Sequence, residues 1–261
     1  LYINSDDSSS NKALKKSQYF EKALKYLQTA LKIKPTESKY IFALSKLYFE
    51  HNKPDLAEKN FRKLISSDFK EESFFFLGLL NNYKGNIKGA EANFTKAFGS
   101  LQYKSQSMFE FCKLKISQKE FKIVESYLEE LINSLRNDEV KNYTISKSLS
   151  EKNEFYMARK ILKRGQHFKR LRSEALVLKY ITLSALRSHN DINSLHKSIE
   201  IHDQNPKAYF ELGLIEKKIG NLVKAKDYFE KACNLNWDYI ESHYHLSKVE
   251  IDMGNIENAK F

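Results

Sequence analysis

A small or β-branched residue returns along this chain every 33 or 34 positions: Ala23, Ala57, Ala90, Val124, Ala158, Ile192, Ala225 and Ala259. A period of that length commits a chain to a row of like modules, each able to bury its apolar face only against its neighbours. Four positions after the recurring residue stands a large apolar side chain: Leu27, Phe61, Phe94, Leu128, Leu162 and Phe229. The sixth unit slips, with His196 in that place and Leu195 as the nearest apolar residue. Upstream, Tyr209, Leu212 and Gly213 fall at i, i+3 and i+4, one face of a helix. The spacing recurs as Ile41, Leu44, Ser45; Phe74, Leu77, Gly78; Met108, Phe111, Cys112; and His243, Leu246, Ser247. A small third member predicts that two helices approach closely. Gly-Asn at 85–86, 220–221 and 254–255 suits the turn between them, since both residues tolerate left-handed backbone angles. The expectation is an all-α chain: a partly ordered polar leader over 1–17, then about seven helix–turn–helix units over 18–261, the last cut short.

Leu-Gly at 77–78 and 212–213, the downstream Ala, the Phe or Leu four later, and Pro35 closing the first unit resemble the tetratricopeptide repeat (TPR) pattern. That resemblance implies a superhelical solenoid of antiparallel helix–turn–helix repeats. It also implies a non-enzymatic scaffold or adaptor, whose first helices line a concave groove that holds an extended or helical segment of a partner protein. On the groove side of each first helix this chain has Phe42, Phe75, Phe109, Tyr143, Val177, Phe210 and Tyr244. Four positions later come Lys46, Lys113, Lys147 and Lys248, interspersed with Leu79, Ile181 and Leu214. Rings offer desolvated contact area and ammonium groups select charge, so the stripe suits a partner with apolar and acidic residues. The same rings can instead pack between adjacent first helices, and both readings stand.

The net charge of +11 is unevenly spread. Its densest run, 159–172, contains Arg159, Lys160, Lys163, Arg164, Lys169, Arg170 and Arg172 and no acid. Placed by the period, the run spans the end of one second helix and the connection to the next unit. It gives the alternative function, binding of RNA or an anionic membrane surface. Three Pro and eight Gly leave few breakers, and 41% hydrophobic residues supply a packed interior. Cys112 and Cys233, 121 residues apart, read as buried thiols. No nucleotide-binding glycine loop, H-E-x-x-H or C-x-x-C occurs, so no cofactor, metal, small-molecule substrate or enzyme activity is expected. His243 and His245 point apart on one helix, and His189, His196 and His202 read as surface or packing residues. No run reaches the ~18 apolar residues that cross a bilayer. The chain starts without Met and stops within its pattern, which suggests a fragment from which any signal peptide or anchor is missing, leaving cytoplasm and periplasm both open. The Lys, Asn, Ile and Phe bias fits a low-GC bacterial genome, where TPR proteins serve envelope, secretion or motility assemblies.

Overall fold

The computed structural model of the chain describes residues 6–152, 154–186 and 191–255, with side chains from residue 18 onward. Among them are twelve α-helices: α1 (Asp6–Ile33), α2 (Ser38–Glu50), α3 (Pro54–Arg62), α4 (Lys70–Tyr83), α5 (Ile87–Lys96), α6 (Lys104–Ser117), α7 (Phe121–Glu151), α8 (Phe155–Ala185), α9 (Ile192–Ile201), α10 (Pro206–Lys218), α11 (Leu222–Leu235) and α12 (Ile240–Asp252). They form two compact units, Leu1–Phe111 and Cys112–Phe261, with the division falling inside α6. Helix α1 takes in residues 6–17 of the expected leader. Ala259 lies outside the described residues.

In the first unit the period becomes packing. Ala57 and Ala90, with Phe61 and Phe94 one turn on, are fully buried. A Cβ on Gly78 would stand 2.5 Å from Cδ1 of Phe94, so the small third residue lets α4 lie directly on that ring. Ser45 is buried at the same place in α2, with its hydroxyl donating to the Ile41 carbonyl at 2.7 Å. Phe61 stacks on Phe76 at 4.9 Å and carries the core from one hairpin to the next. The turns also repeat. Asn52, Gly85, Lys119, Gly220 and Gly254 all have positive φ, and the three glycines have no atom near a would-be Cβ. Hairpin turns are therefore selected by backbone conformation rather than by side-chain packing.

The second unit departs from the expected hairpins. The period predicts a break near 136–139 and another near 169–172, yet α7 and α8 run unbroken for 31 residues each. Each fuses the second helix of one repeat to the first helix of the next. Elsewhere the break is built from Pro35 or from caps: the Ser67 hydroxyl accepts from the Phe69 amide, Ser100 from Gln102 and Tyr103, and Asn205 from Ala208 ahead of Pro206. Arg136-Asn137-Asp138-Glu139 and Lys169-Arg170-Leu171-Arg172 contain neither Pro nor Gly, and most of these residues favour a helix, so it continues. The two helices pair antiparallel in one register. Ser146 donates to the Ala158 carbonyl at 2.8 Å, Gly165 lies against Asn142, Arg172 pairs with Glu139 at 3.2 Å and Lys179 with Glu129 at 2.7 Å.

Beyond that hairpin the repeat resumes. In α3, α5, α7, α8 and α11 the recurring residue stands three positions into the helix, but α9 starts at Ile192 itself, which is only half-buried. Leu195 is fully buried in place of the exposed His196, as the slip at that unit suggests. The join is made polar: Ser173 and Ser198 each donate to the other's carbonyl, and Asn205 donates to both hydroxyls at 2.9 and 3.1 Å. Val177, Tyr180, Leu195, Ala208 and Leu212 form one core cluster; Ala225, Phe229, Cys233, Leu246 and Val249 form the next.

Candidate interaction surfaces

The expected groove rings divide by burial. Phe42, Phe75, Phe109 and Val177 are buried, so they are not free for a ligand. Phe42 stacks on Phe69 at 4.9 Å and touches Phe61 at 5.9 Å; Phe75 stacks on Tyr103 at 4.9 Å and touches Phe94 at 6.4 Å. Phe210 repeats the pattern with Tyr239 at 5.0 Å and Phe229 at 5.8 Å, but stays half-buried. This corrects the groove reading for the buried rings: the next repeat supplies an aromatic partner 27 to 29 residues on, visible in the sequence as Phe69, Tyr103 and Tyr239. Lys46 is half-buried, with Nζ 5.8 Å from the Phe76 ring, while Lys113 is exposed on α6.

Two ring–lysine pairs remain reachable. Tyr244 is 55% exposed on α12, with Lys248 Nζ 4.7 Å over its ring. The Tyr244 hydroxyl and the nearby Asp252 charge hold the Lys248 ammonium above its ordinary pKa. On α10, beside Phe210, burial lifts the Glu211 carboxyl above the usual carboxylate range; Lys207 opposes this only in part. Tyr143, 61% exposed, and Lys147, exposed four positions on, are the other two, on the C-terminal half of α7.

Fusion of the helices separates these pairs. The register sets Tyr143 beside Leu162–Gln166, whereas Val177, at the corresponding place in the next repeat, lies ~20 Å further along α8 at 1.5 Å per residue. Tyr143 and Lys147 therefore leave the row formed by the C-terminal half of α8, α10 and α12. They join the basic run, which is not a connection between units but the interior of α8. Tyr143, Val140, Leu162, Gln166 and Lys169 line a shared open cleft of about 390 Å³. Arg159, Lys160, Lys163, Arg164, Lys169 and Arg170 are exposed; Arg172 is half-buried against Glu139, and Arg170 reaches Glu174 at 3.6 Å. His167 is held below its ordinary pKa by burial and by the charges of Arg170 and Arg164.

Other features carry no chemistry. A cleft of about 750 Å³ between α7, α8 and α9 is lined by four basic and four acidic side chains, several already paired, so it selects neither sign. Burial pushes the Cys112 thiol up to about 12, which leaves it protonated and unreactive. Among the described residues no group of three or more His, Cys, Asp or Glu could hold a metal ion, and no helix is long and apolar enough to cross a membrane.

The family model described as tetratricopeptide repeat matches residues 12–37 and 206–238. No curated protein matches the chain. Among solved structures it is similar to YrrB, described as a TPR protein with an unusual peptide-binding site, at 13% identity over 84% of this chain and 96% of that one, with a TM-score of 0.53. It is similar to Acl4, the assembly chaperone of RpL4, at 13% identity over 85% and 87% with a TM-score of 0.53. PilW, a type IV pilus biogenesis factor, matches at 14% identity over 85% and 88% with a TM-score of 0.52. At these identities the likeness concerns the fold.

Proposed function

Because the chain belongs to the tetratricopeptide-repeat family, we propose that it is a non-enzymatic protein-interaction scaffold, holding an extended or helical partner segment that carries apolar and acidic residues. The observation that carries this reading is the pair of rings on α10 and α12, where Tyr244 is exposed beneath Lys248 and Phe210 is half-buried against His245. The rings are held in place by Phe229, Tyr239 and His245, so little ordering entropy is lost when a flexible ligand docks. The setting that fits is a multiprotein assembly, as for the similarly folded pilus biogenesis factor and assembly chaperone. A native lysate treated with nuclease tests it. A protein retained by the wild type and lost with Tyr244→Ala plus Lys248→Glu, at unchanged helicity, supports the row; equal retention by the variant rejects it.

A second reading, an anionic ligand on the N-terminal half of α8, is favoured by charge. Residues 136–172 hold eleven Lys and Arg against four Asp and Glu, a net +7 of the chain's +11.

A further inference from the structure

We infer that the α7–α8 turn is a bilayer contact: Phe155, Tyr156 and Met157 enter the interface of an anionic membrane while a collar of basic residues behind them binds its headgroups. The inference rests on the second reading above and names its ligand.

The apolar triplet is not required by the repeat. At the three positions before the recurring residue, other units place Pro54-Asp55-Leu56, Ile87-Lys88-Gly89, Phe121-Lys122-Ile123 and Leu222-Val223-Lys224. Each has one apolar residue that starts the second helix, followed by at least one polar residue or glycine. Only the α8 start is apolar at all three, and the side chains point outward: Phe155 is 63%, Tyr156 81% and Met157 44% exposed. Bulky apolar groups left in water at the end of a hairpin cost solubility unless something covers them.

Charge states what covers them. Lys147 lies one turn from the end of α7, and Arg159, Lys160, Lys163 and Arg164 lie ~6 to ~14 Å along α8 from Phe155. All five are exposed, and none makes an ion pair among the described residues. The headgroup layer is about 5–8 Å thick on each side of the hydrocarbon, so Arg159 and Lys160 stand at its depth, and Lys163 and Arg164 reach it with long side chains that lean toward the start of the helix. At 100° per residue Arg159, Lys163, Lys160 and Arg164 share one arc of about 140° on the side of α8 away from the buried Ala158, and Lys147 adds a charge from α7, so the collar is a basic patch on the outer face behind the tip. Tyr156 is suited to the interface, with an apolar ring and a polar hydroxyl. Glu151 and Glu154 flank the turn and oppose the collar, leaving a net +4 over 147–164 and limiting entry to headgroup depth.

The fold accommodates such an approach. Helix α9, which covers α8, ends at Ile201, and Ser198 near that end meets Ser173. Within the second unit α9 therefore lies level with residues beyond Ser173, away from the turn.

The test is co-sedimentation of the chain with phosphatidylserine–phosphatidylcholine vesicles, with pure phosphatidylcholine vesicles, and in parallel its binding to a single-stranded RNA oligonucleotide. Binding to the anionic vesicles alone is expected. Loss of about fivefold or more with Tyr156→Ser, and about 25-fold with Arg159→Gln plus Arg164→Gln, should follow at unchanged thermal midpoint, given about fivefold per basic residue at such a surface. If the anionic vesicles sediment the wild type and Tyr156→Ser equally, only charge adsorbs and the tip is refuted. RNA binding without vesicle binding overturns the membrane but keeps the basic reading; binding to neither removes both.

Discussion

Replacing Gly78 by Ala tests how tight the close approach inside each hairpin is. The added methyl would lie 2.5 Å from Cδ1 and 2.6 Å from Cε1 of Phe94, where ordinary carbon contacts are ~3.5–4.0 Å. Phe94 cannot swing aside, because it is fully buried and rests against Phe75 at 6.4 Å. Helices α4 and α5 must therefore separate by about 1 Å. Overpacking of this kind costs about 1–3 kcal/mol, and the better helix propensity of Ala returns about 1 kcal/mol. A net loss of about 0–2 kcal/mol is expected, read as a lower urea midpoint by circular dichroism. Gly213→Ala should behave alike, since its methyl would stand 2.7 Å from Cε1 of Phe229. Gly220→Ala is the control: it meets no neighbour, and its loss of about 1 kcal/mol comes from the positive φ of +85 alone. Phe94→Leu should then be less harmful in the Gly78→Ala background than in the wild type, while it should not rescue Gly220→Ala. A Gly78→Ala chain as stable as the wild type, with no coupling to Phe94, would refute the tight seam.

Two further substitutions probe the second unit. Glu211→Gln should stabilise the chain at neutral pH. Burial raises the folded-state pKa of Glu211, so ionising it opposes folding; wild-type stability should fall as pH rises from the ordinary 4.5 through the raised value, and the variant should lose that slope. Lys119→Gly should stabilise the chain by about 0.5 kcal/mol, read as a slightly higher urea midpoint. Relief of the left-handed conformation at φ +63 is worth roughly 1–2 kcal/mol, and the greater unfolded freedom of glycine takes back roughly 0.5–1 kcal/mol; an unchanged or lower midpoint would contradict it.

Most of the architecture was legible because it rests on local chemistry that repeats. Gly85, Gly220 and Gly254 mark turns that need positive φ, and Gly78 and Gly213 mark places where a ring leaves no room for a Cβ. The exchange of Leu195 for His196 could be read from the slip alone. The fusion of α7 and α8 was harder to see, since Asn137 and Asp138 resemble a turn. What decides there is the lack of any Pro or Gly, so that Asn137 and Asp138 stay within the helix, a missing break inside a period that still counts correctly. The groove was legible only as a stripe. Periodicity places Phe42 and Phe75 on the side facing the next repeat, but whether a ring is open or covered depends on a partner nearly a full repeat away, Phe69 or Tyr103.

The unbroken α7 and α8 also bear on how the second unit folds. In a row of hairpins joined by turns, each repeat can fray while its neighbour persists, because the coupling is limited to their shared interface. Here the backbone ladder itself runs through two repeat boundaries, so one repeat cannot unwind without opening hydrogen bonds in the next. Amides of 121–151 and 155–185 should exchange as one cooperative block, and a proline at Asn137 should divide that block in two.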